Sequence, residues 1–267
     1  MASFTDKKLS SVYKDILHTD NSNTGISSTI KQITCGDGDT TSLYLSNQNL
    51  KVQPSADSTT NTVIYDTDGN ALVTVDSTND LVKAGIGQHI VNTQYANFGI
   101  GNSESYNFAD DTHQALTFQN ANYASITYPP AFGTGTDPAT SFTTAEGNGT
   151  RGADLVPVMW LVPDNITIDA VYSFEGADTA NSGGDETTRM HLFSYTFNSG
   201  STSALASGTL LAHNSDVTNA GSEQVYKSTW TVDSADVDAN KVILAFFKSD
   251  SVASDYSVNI TVKYHLR

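Results

Sequence analysis

Histidine, serine and carboxylate side chains are the residues that could do catalysis in this chain, and their spacing matches no catalytic pattern. The six histidines are His18, His89, His113, His191, His213 and His265. They show neither the H-E-x-x-H motif nor the i, i+4 pairing that binds zinc. Serine is abundant, but no G-x-S-x-G motif marks a hydrolase nucleophile. His191 lies in the strand-like run 190–195 and is interpreted as a packed or surface residue. We therefore predict no catalytic residue and no enzymatic activity.

Two short motifs resemble ligand-binding loops without their structural context. Residues 147–152 match G-x-G-x-x-G, but no strand is predicted before them and no helix after them, so they are interpreted as a plain loop. Residues 66–70 resemble the start of a calcium loop, but the glycine comes too early and Ser77 stands in place of the closing glutamate. That segment is predicted to be a hairpin turn. We name no cofactor-binding residue and no metal ligand.

The sequence neither excludes carbohydrate binding nor locates a carbohydrate site. Sugar sites combine exposed aromatic faces with hydrogen bonds from amides and carboxylates, and the chain contains 12 tyrosines. Abundance alone does not locate a site. Trp160 and Trp230 both lie in apolar, strand-like surroundings and are predicted to be core residues.

The acidic composition excludes several classes of partner. Lysine and arginine number 13 against 29 acidic residues, giving a formal charge of −16. No basic stripe is present to neutralise nucleic-acid phosphates or to dock on an anionic membrane. No apolar run reaches the ~20 residues that span a bilayer, and the N-terminus lacks an apolar signal core. Cys35 is the sole cysteine, which excludes an intrachain disulfide and indicates synthesis in a reducing cytoplasm.

The N-terminal third is predicted to contain a short helix followed by a thin β-meander. A one-sided apolar stripe predicts the helix within an attachment segment, 1–38, and it consists of Leu9, Val12, Tyr13, Ile16 and Leu17. Residues 39–95 then alternate short apolar runs with turns, such as those at 47–49, 66–70 and 77–80. Such a narrow sheet is poorly stable alone, but it becomes stable if identical faces from neighbouring subunits meet on an axis.

Residues 96–267 are predicted to form a C-terminal β-sandwich or jelly roll. The loop 128–138 has prolines near both ends and is expected to be ordered. The run 242–247 is continuously apolar, as expected for a strand buried on both faces. Residues 256–266 alternate regularly, and in the run 166–174 the even-numbered residues, including Tyr172 and Phe174, are predicted to share one face.

Several short segments resemble bacteriophage fibre-like virion proteins of the tail-fibre or head-appendage type. Residues 13–17 followed by 20–26 resemble their N-terminal stretch, 42–46 and 71–79 resemble stem modules, and 242–264 resembles tip sandwiches. The resemblance implies a virion location, assembly as a homotrimer, contacts with other virion proteins through the N-terminal segment, and a host-surface glycan or receptor as partner. It carries over no catalytic residue.

Three functional hypotheses follow. The first is a trimeric fibre or surface appendage that displays its C-terminal domain to the host. The second is a capsid decoration protein that stabilises the shell without touching the host. The third, a surface-glycan depolymerase, is disfavoured because no carboxylate pair set in a repetitive β-helix is recognisable.

Overall fold

The computed structural model describes residues 16–19, 25–100, 109–119, 128–177, 186–219, 224–250 and 256–267. The regular secondary structure of these residues is almost entirely β, with antiparallel pairing, which confirms the predicted all-β class. The chain divides into two compact units, Met1–Val91 and Asn92–Arg267. The boundary expected after residue 95 falls within a strand that begins at Thr93.

The N-terminal unit contains two four-stranded sheets, each a simple meander in chain order. The first sheet comprises β1 (His18–Thr19), β2 (Lys31–Thr34), β3 (Thr40–Leu45) and β4 (Leu50–Val52). The second comprises β5 (Thr62–Tyr65), β6 (Ala71–Asp76), β7 (Leu81–Ala84) and β8 (His89–Ile90). The predicted turns at 47–49, 66–70 and 77–80 are confirmed, because each of them joins two paired strands.

The helix predicted from the stripe between Leu9 and Leu17 lies mostly outside the described residues. Ile16 and Leu17 are described and are not helical, and the chain enters strand β1 directly after them. The α-helix that the described residues do contain is α1 (Gly152–Leu155), which continues into a 3₁₀ turn at Val156–Val158. It is one turn long, too short to be stable without the packing of Leu155 in the core.

The C-terminal unit is a sandwich of two sheets, whose strands differ in length, around one apolar core. The six-stranded sheet contains β9 (Thr93–Ile100), β11 (Thr117–Phe118), β13 (Ile166–Ala177), β17 (Val225–Thr229), β19 (Asp236–Val237) and β21 (Tyr256–Leu266). The seven-stranded sheet contains β10 (Gln114–Ala115), β12 (Trp160–Val162), β14 (Glu186–Phe197), β15 (Leu205–His213), β16 (Val217–Asn219), β18 (Thr231–Val232) and β20 (Lys241–Ser249). Trp160 and Trp230 are buried, as predicted.

The seven-stranded sheet is covered on both faces, which explains the continuous apolar run in its central strand. Residues 242–247 of β20 are all buried, as predicted. One face of the sheet meets the six-stranded sheet. The other is covered by the proline-flanked segment, in which Phe132 packs 4.7 Å from Phe246 and 5.7 Å from Tyr195, measured between ring centroids. The loop predicted to be ordered thus forms a third layer over the sheet.

A β-bulge at Asp169 contradicts the predicted alternation of β13. Ile168 pairs with Tyr264 and Ala170 pairs with Lys263, so Asp169 is an extra residue in the ladder. The extra residue reverses the two faces beyond it. Ile166 and Ile168 are buried as expected, but further along the strand Ser173 and Glu175 are buried, whereas Tyr172 and Phe174 are exposed. The final strand β21 has no such interruption, and its predicted alternation is confirmed from Tyr256 to Val262. At its end the polar His265 is buried, whereas Tyr264 and Leu266 are half-buried.

Candidate functional site

The first sheet of the N-terminal unit has an apolar face that lies open to solvent in the single chain. Leu45 pairs with Leu50 and Leu43 pairs with Val52, and directly paired residues project from the same face. Leu50 is 66% exposed and Val52 is 47% exposed. These four side chains form what we call the first apolar face.

The second sheet repeats this arrangement. Cross-strand pairing places four apolar side chains on one face, the second apolar face: Ile64, Val73, Val75 and Val82. Ile64 is 56% exposed and Val82 is 45% exposed. Among the described residues of the N-terminal unit, Ile33 is the one large apolar side chain that is buried. The described residues of this unit therefore form no hydrophobic core of their own.

The opposite face of the second sheet is the better-buried one, and it carries a polar network beside the apolar side chains of Val63 and Leu81. Thr74 donates a 2.6 Å hydrogen bond to Oε1 of Gln88, and the Lys83 ammonium lies 2.9 Å from Asp76. Hydrogen bonds from Asn79 and the Lys83 ammonium lower the pKa of Asp76 to about 2. This network orders one side of the sheet by polar contacts, while Ile64 and Val82 on the other side stay exposed.

A charged cleft of about 390 Å³ lies at one end of the C-terminal unit. Its lining residues are Asp111, Thr134, Gly135, Thr136, Thr187, Arg189, Asp216, Lys248 and Asp250. Each carboxylate in it has a partner. Arg189 pairs with Asp216, the Lys248 ammonium lies 2.7 Å from Asp111, and Oδ1 of Asp250 accepts a 2.7 Å hydrogen bond from the Thr187 amide. The Lys248 ammonium also donates hydrogen bonds to the carbonyl oxygens of Gly135 at 3.0 Å and Thr134 at 3.4 Å, which tie the third layer to the sheet edge.

Three histidines meet beneath this third layer, although they are far apart in the sequence. The His191 ring lies 4.9 Å from that of His113 and 6.4 Å from that of His213, between centroids. Burial lowers the pKa of His191 to about 3, and it also lowers the pKa of His113. His191 is thus a packed residue, as predicted, and both of these imidazoles are neutral at pH 7.

The core of the sandwich contains an acid, Glu175, which is 3% exposed. Its Oε2 atom accepts a 2.7 Å hydrogen bond from the hydroxyl of Thr188 in the facing sheet. Burial raises the pKa of Glu175 to about 7. A raised pKa is typical of a general acid, but this carboxyl is enclosed by the core and cannot reach a substrate.

The two loop motifs have structural roles. The Gly149 amide donates to the Asp154 carboxylate, so the acidic side chain occupies the position that a phosphate would need. Gly152, the last glycine of the motif, begins α1, a one-turn helix that was not predicted. In the other motif, Asp66 accepts hydrogen bonds from the Asp68 and Asn70 amides, which closes the predicted hairpin turn.

Within the described ranges, no three His, Cys, Asp or Glu side chains come close enough to hold a metal ion. No helix in the same part of the chain is long and apolar enough to cross a membrane. The chain matches no family model, and no curated protein matches it.

Proposed function

We propose that this chain is a non-enzymatic structural subunit of a tailed-phage particle, a fibre or surface appendage whose N-terminal unit assembles as a homotrimer. The observation that carries the proposal is the pair of apolar faces on the N-terminal unit. Their exposure leaves the described part of the N-terminal unit without a hydrophobic core in a single copy. The phage setting, the virion location and the attachment of residues 1–38 to other virion proteins come from the sequence resemblance.

The physical argument for assembly is the placement of apolar surface. A soluble monomer rarely exposes a contiguous apolar patch, and a small sheet with one uncovered face is marginally stable. Here the second sheet buries Thr74 and Asp76 while Ile64 and Val82 stay exposed. Identical copies around a closed symmetry axis would bring equivalent faces together and remove them from water.

A trimer suits the proposal because three copies of the short meanders around one axis would make an extended stem. The C-terminal sandwich has its own core, so it would be free for display to the host. The core includes large side chains from both sheets, such as Phe98, Leu192 and Phe247. The C-terminal unit therefore does not depend on neighbouring copies for its stability, whereas the N-terminal unit does.

Sedimentation of the purified full chain tests the proposal. The expected species has three times the 28.5 kDa mass of one chain. Replacing Leu50 and Ile64 by lysine places charge on both apolar faces and should give a monomer. The control Asp68→Lys adds the same charge at an exposed turn of the second sheet and should leave the trimer intact. A stable monomer of the unchanged chain at micromolar concentration would contradict the proposal.

A further inference from the structure

The outward face of the six-stranded sheet carries two exposed aromatic side chains on its strand β13. Phe174 is 52% exposed and Tyr172 is 36% exposed. They lie two residues apart, so they project from the same side of the strand about 7 Å from each other. Both face outward because the bulge at Asp169 reverses the strand. A bulge that re-aims side chains is a recurrent feature near functional sites.

Polar side chains flank each ring in register. Phe174 pairs with Asn259 on one side and Lys227 on the other, and Tyr172 pairs with Thr261 and Thr229 in the same way. Neighbouring strands lie about 4.8 Å apart, so each ring has a hydrogen-bonding group within one strand spacing on either side. We call these six residues the aromatic face.

The charge of this surface is opposite to that of the chain. The chain carries a formal charge of −16, yet the charged side chains described in the outward rows from Ala170 to Gly176 are those of Lys227 and Lys263. Asp169, which precedes these rows on β13, is bound to the His265 imidazole at 2.9 Å. An anionic partner therefore fits this surface better than a neutral one.

The exposed area is too small for a stable protein interface. Tyr95, 61% exposed and paired with Lys263, and Val225, 77% exposed and paired with Gly176, project from the same face. Together with Phe174 and Tyr172 they offer on the order of 400 Å² of exposed surface, whereas a standard protein–protein interface buries about 800 Å² on each partner. Lysine is also depleted in the centres of such interfaces, and here Lys227 lies next to Phe174. A second copy of the chain is thus a poor occupant.

We propose that the aromatic face binds an acidic polysaccharide. The C–H face of a sugar ring packs on Phe174 or Tyr172, hydroxyl groups of the sugar hydrogen-bond to Asn259 and Thr261, and a sugar carboxylate pairs with Lys227. The proposal deepens the display role proposed for the C-terminal unit and rests on it.

Affinity electrophoresis of the full chain tests this assignment. The gels contain polygalacturonate, alginate, hyaluronate or polysialic acid, with neutral dextran and polyglutamate as the reference polymers. Dextran has sugar rings without charge, and polyglutamate has carboxylates without sugar rings. We expect at least one acidic polysaccharide to retard the chain more strongly than either reference polymer.

Matched variants locate the binding. The double variant Tyr172→Ala/Phe174→Ala and the single variant Lys227→Gln should each weaken retardation at least tenfold. Phe197→Ala removes an aromatic side chain that is 41% exposed on the other sheet, and it should bind like the parent. Thermal melting of each variant checks that its fold is retained.

Three results would overturn the proposal: no retardation by any acidic polysaccharide, equal retardation by polyglutamate, or unchanged retardation of the double variant. A fall in assembly mass on making the double variant would instead identify the face as a contact between copies. Sedimentation of the same samples separates the two proposals, because a trimer that binds no polysaccharide leaves the proposed function standing.

Discussion

The hydroxyl of Thr188 donates a 2.7 Å hydrogen bond to Oε2 of Glu175, and this contact joins the two sheets of the sandwich inside the core. The other carboxyl oxygen, Oε1, is buried without a hydrogen-bond partner. An ionised carboxylate in this position would lack the solvation that its charge requires. The protonation state of Glu175 should therefore affect the stability of the C-terminal unit.

The Glu175→Gln variant should have a different pH dependence from the parent. The folded pKa of Glu175 is about 7 against an ordinary 4.5, so its protonated form stabilises the fold below about pH 4.5 and this contribution is lost as the pH rises through 7. The parent should lose on the order of 3 kcal/mol of this contribution between those limits, and glutamine cannot ionise. Urea unfolding between pH 5 and 8, followed by tryptophan fluorescence, reports on the sandwich because Trp160 and Trp230 both lie there. Parallel pH profiles for the two proteins would contradict the prediction.

The contribution of the buried His191 to stability depends on pH in the opposite direction to that of Glu175. Burial holds the folded pKa of His191 at about 3, so its contribution is present above pH 6.5 and is lost as the pH falls towards 3. The groups around it are His113, His213, Arg189, Lys248 and Asp137. The His191→Gln variant should remove up to about 1.4 kcal/mol of destabilisation per pH unit between pH 6 and 4.

Acid unfolding followed by tryptophan fluorescence measures this effect. The matched control is His89→Gln, which changes an exposed histidine of the N-terminal unit. The unfolding curve of the sandwich in the His89→Gln variant should coincide with that of the parent. If the unfolding curve of His191→Gln also coincided with that of the parent at pH 4, this result would contradict the claim that the imidazole is buried in its neutral form.

The third layer should contribute strongly to stability through Phe132. This side chain is 1% exposed and stacks 4.8 Å from Phe142, between ring centroids, as well as packing on the sheet. Phe132→Ala should therefore cost about 3–5 kcal/mol, through lost apolar burial and the cavity left behind. Leu161→Ala, at a site 57% exposed, should cost far less. Urea denaturation of both variants makes the comparison, and equal costs would show that the segment does not cover the sheet.

Local patterns in the sequence were sufficient to predict much of the fold. The continuous apolar run of β20, the alternation of β21 up to Val262 and the hairpin turn at Asp66 each depend on neighbouring residues, and each is confirmed. The apolar alternation of Leu43, Leu45 and Leu50 likewise predicted a paired hairpin. Period-2 patterning and turn chemistry act over a few residues, so a single sequence reveals them.

Features that depend on long-range contacts were missed. Nothing around Asp169 signals an extra residue, because a bulge becomes visible only when the partner strand is aligned. The histidine cluster joins residues 113, 191 and 213, and only the pairing of β14 with β15 brings the last two together. The aromatic face was missed for the same reason, since the predicted alternation placed Tyr172 and Phe174 with the buried residues of the strand.

The bulge turns Ser173 towards the core, where its Oγ atom accepts a 2.9 Å hydrogen bond from Nε1 of Trp230. Both residues are buried, so Ser173→Ala leaves the indole N–H without a partner and should cost about 1–3 kcal/mol. Trp230→Phe removes the donor and part of the ring. In the double variant both polar groups are gone, so its cost should be lower than the sum of the single costs by about 1 kcal/mol. Urea unfolding monitored by circular dichroism gives the three values, and strictly additive costs would show that the bulge does not place Ser173 against Trp230.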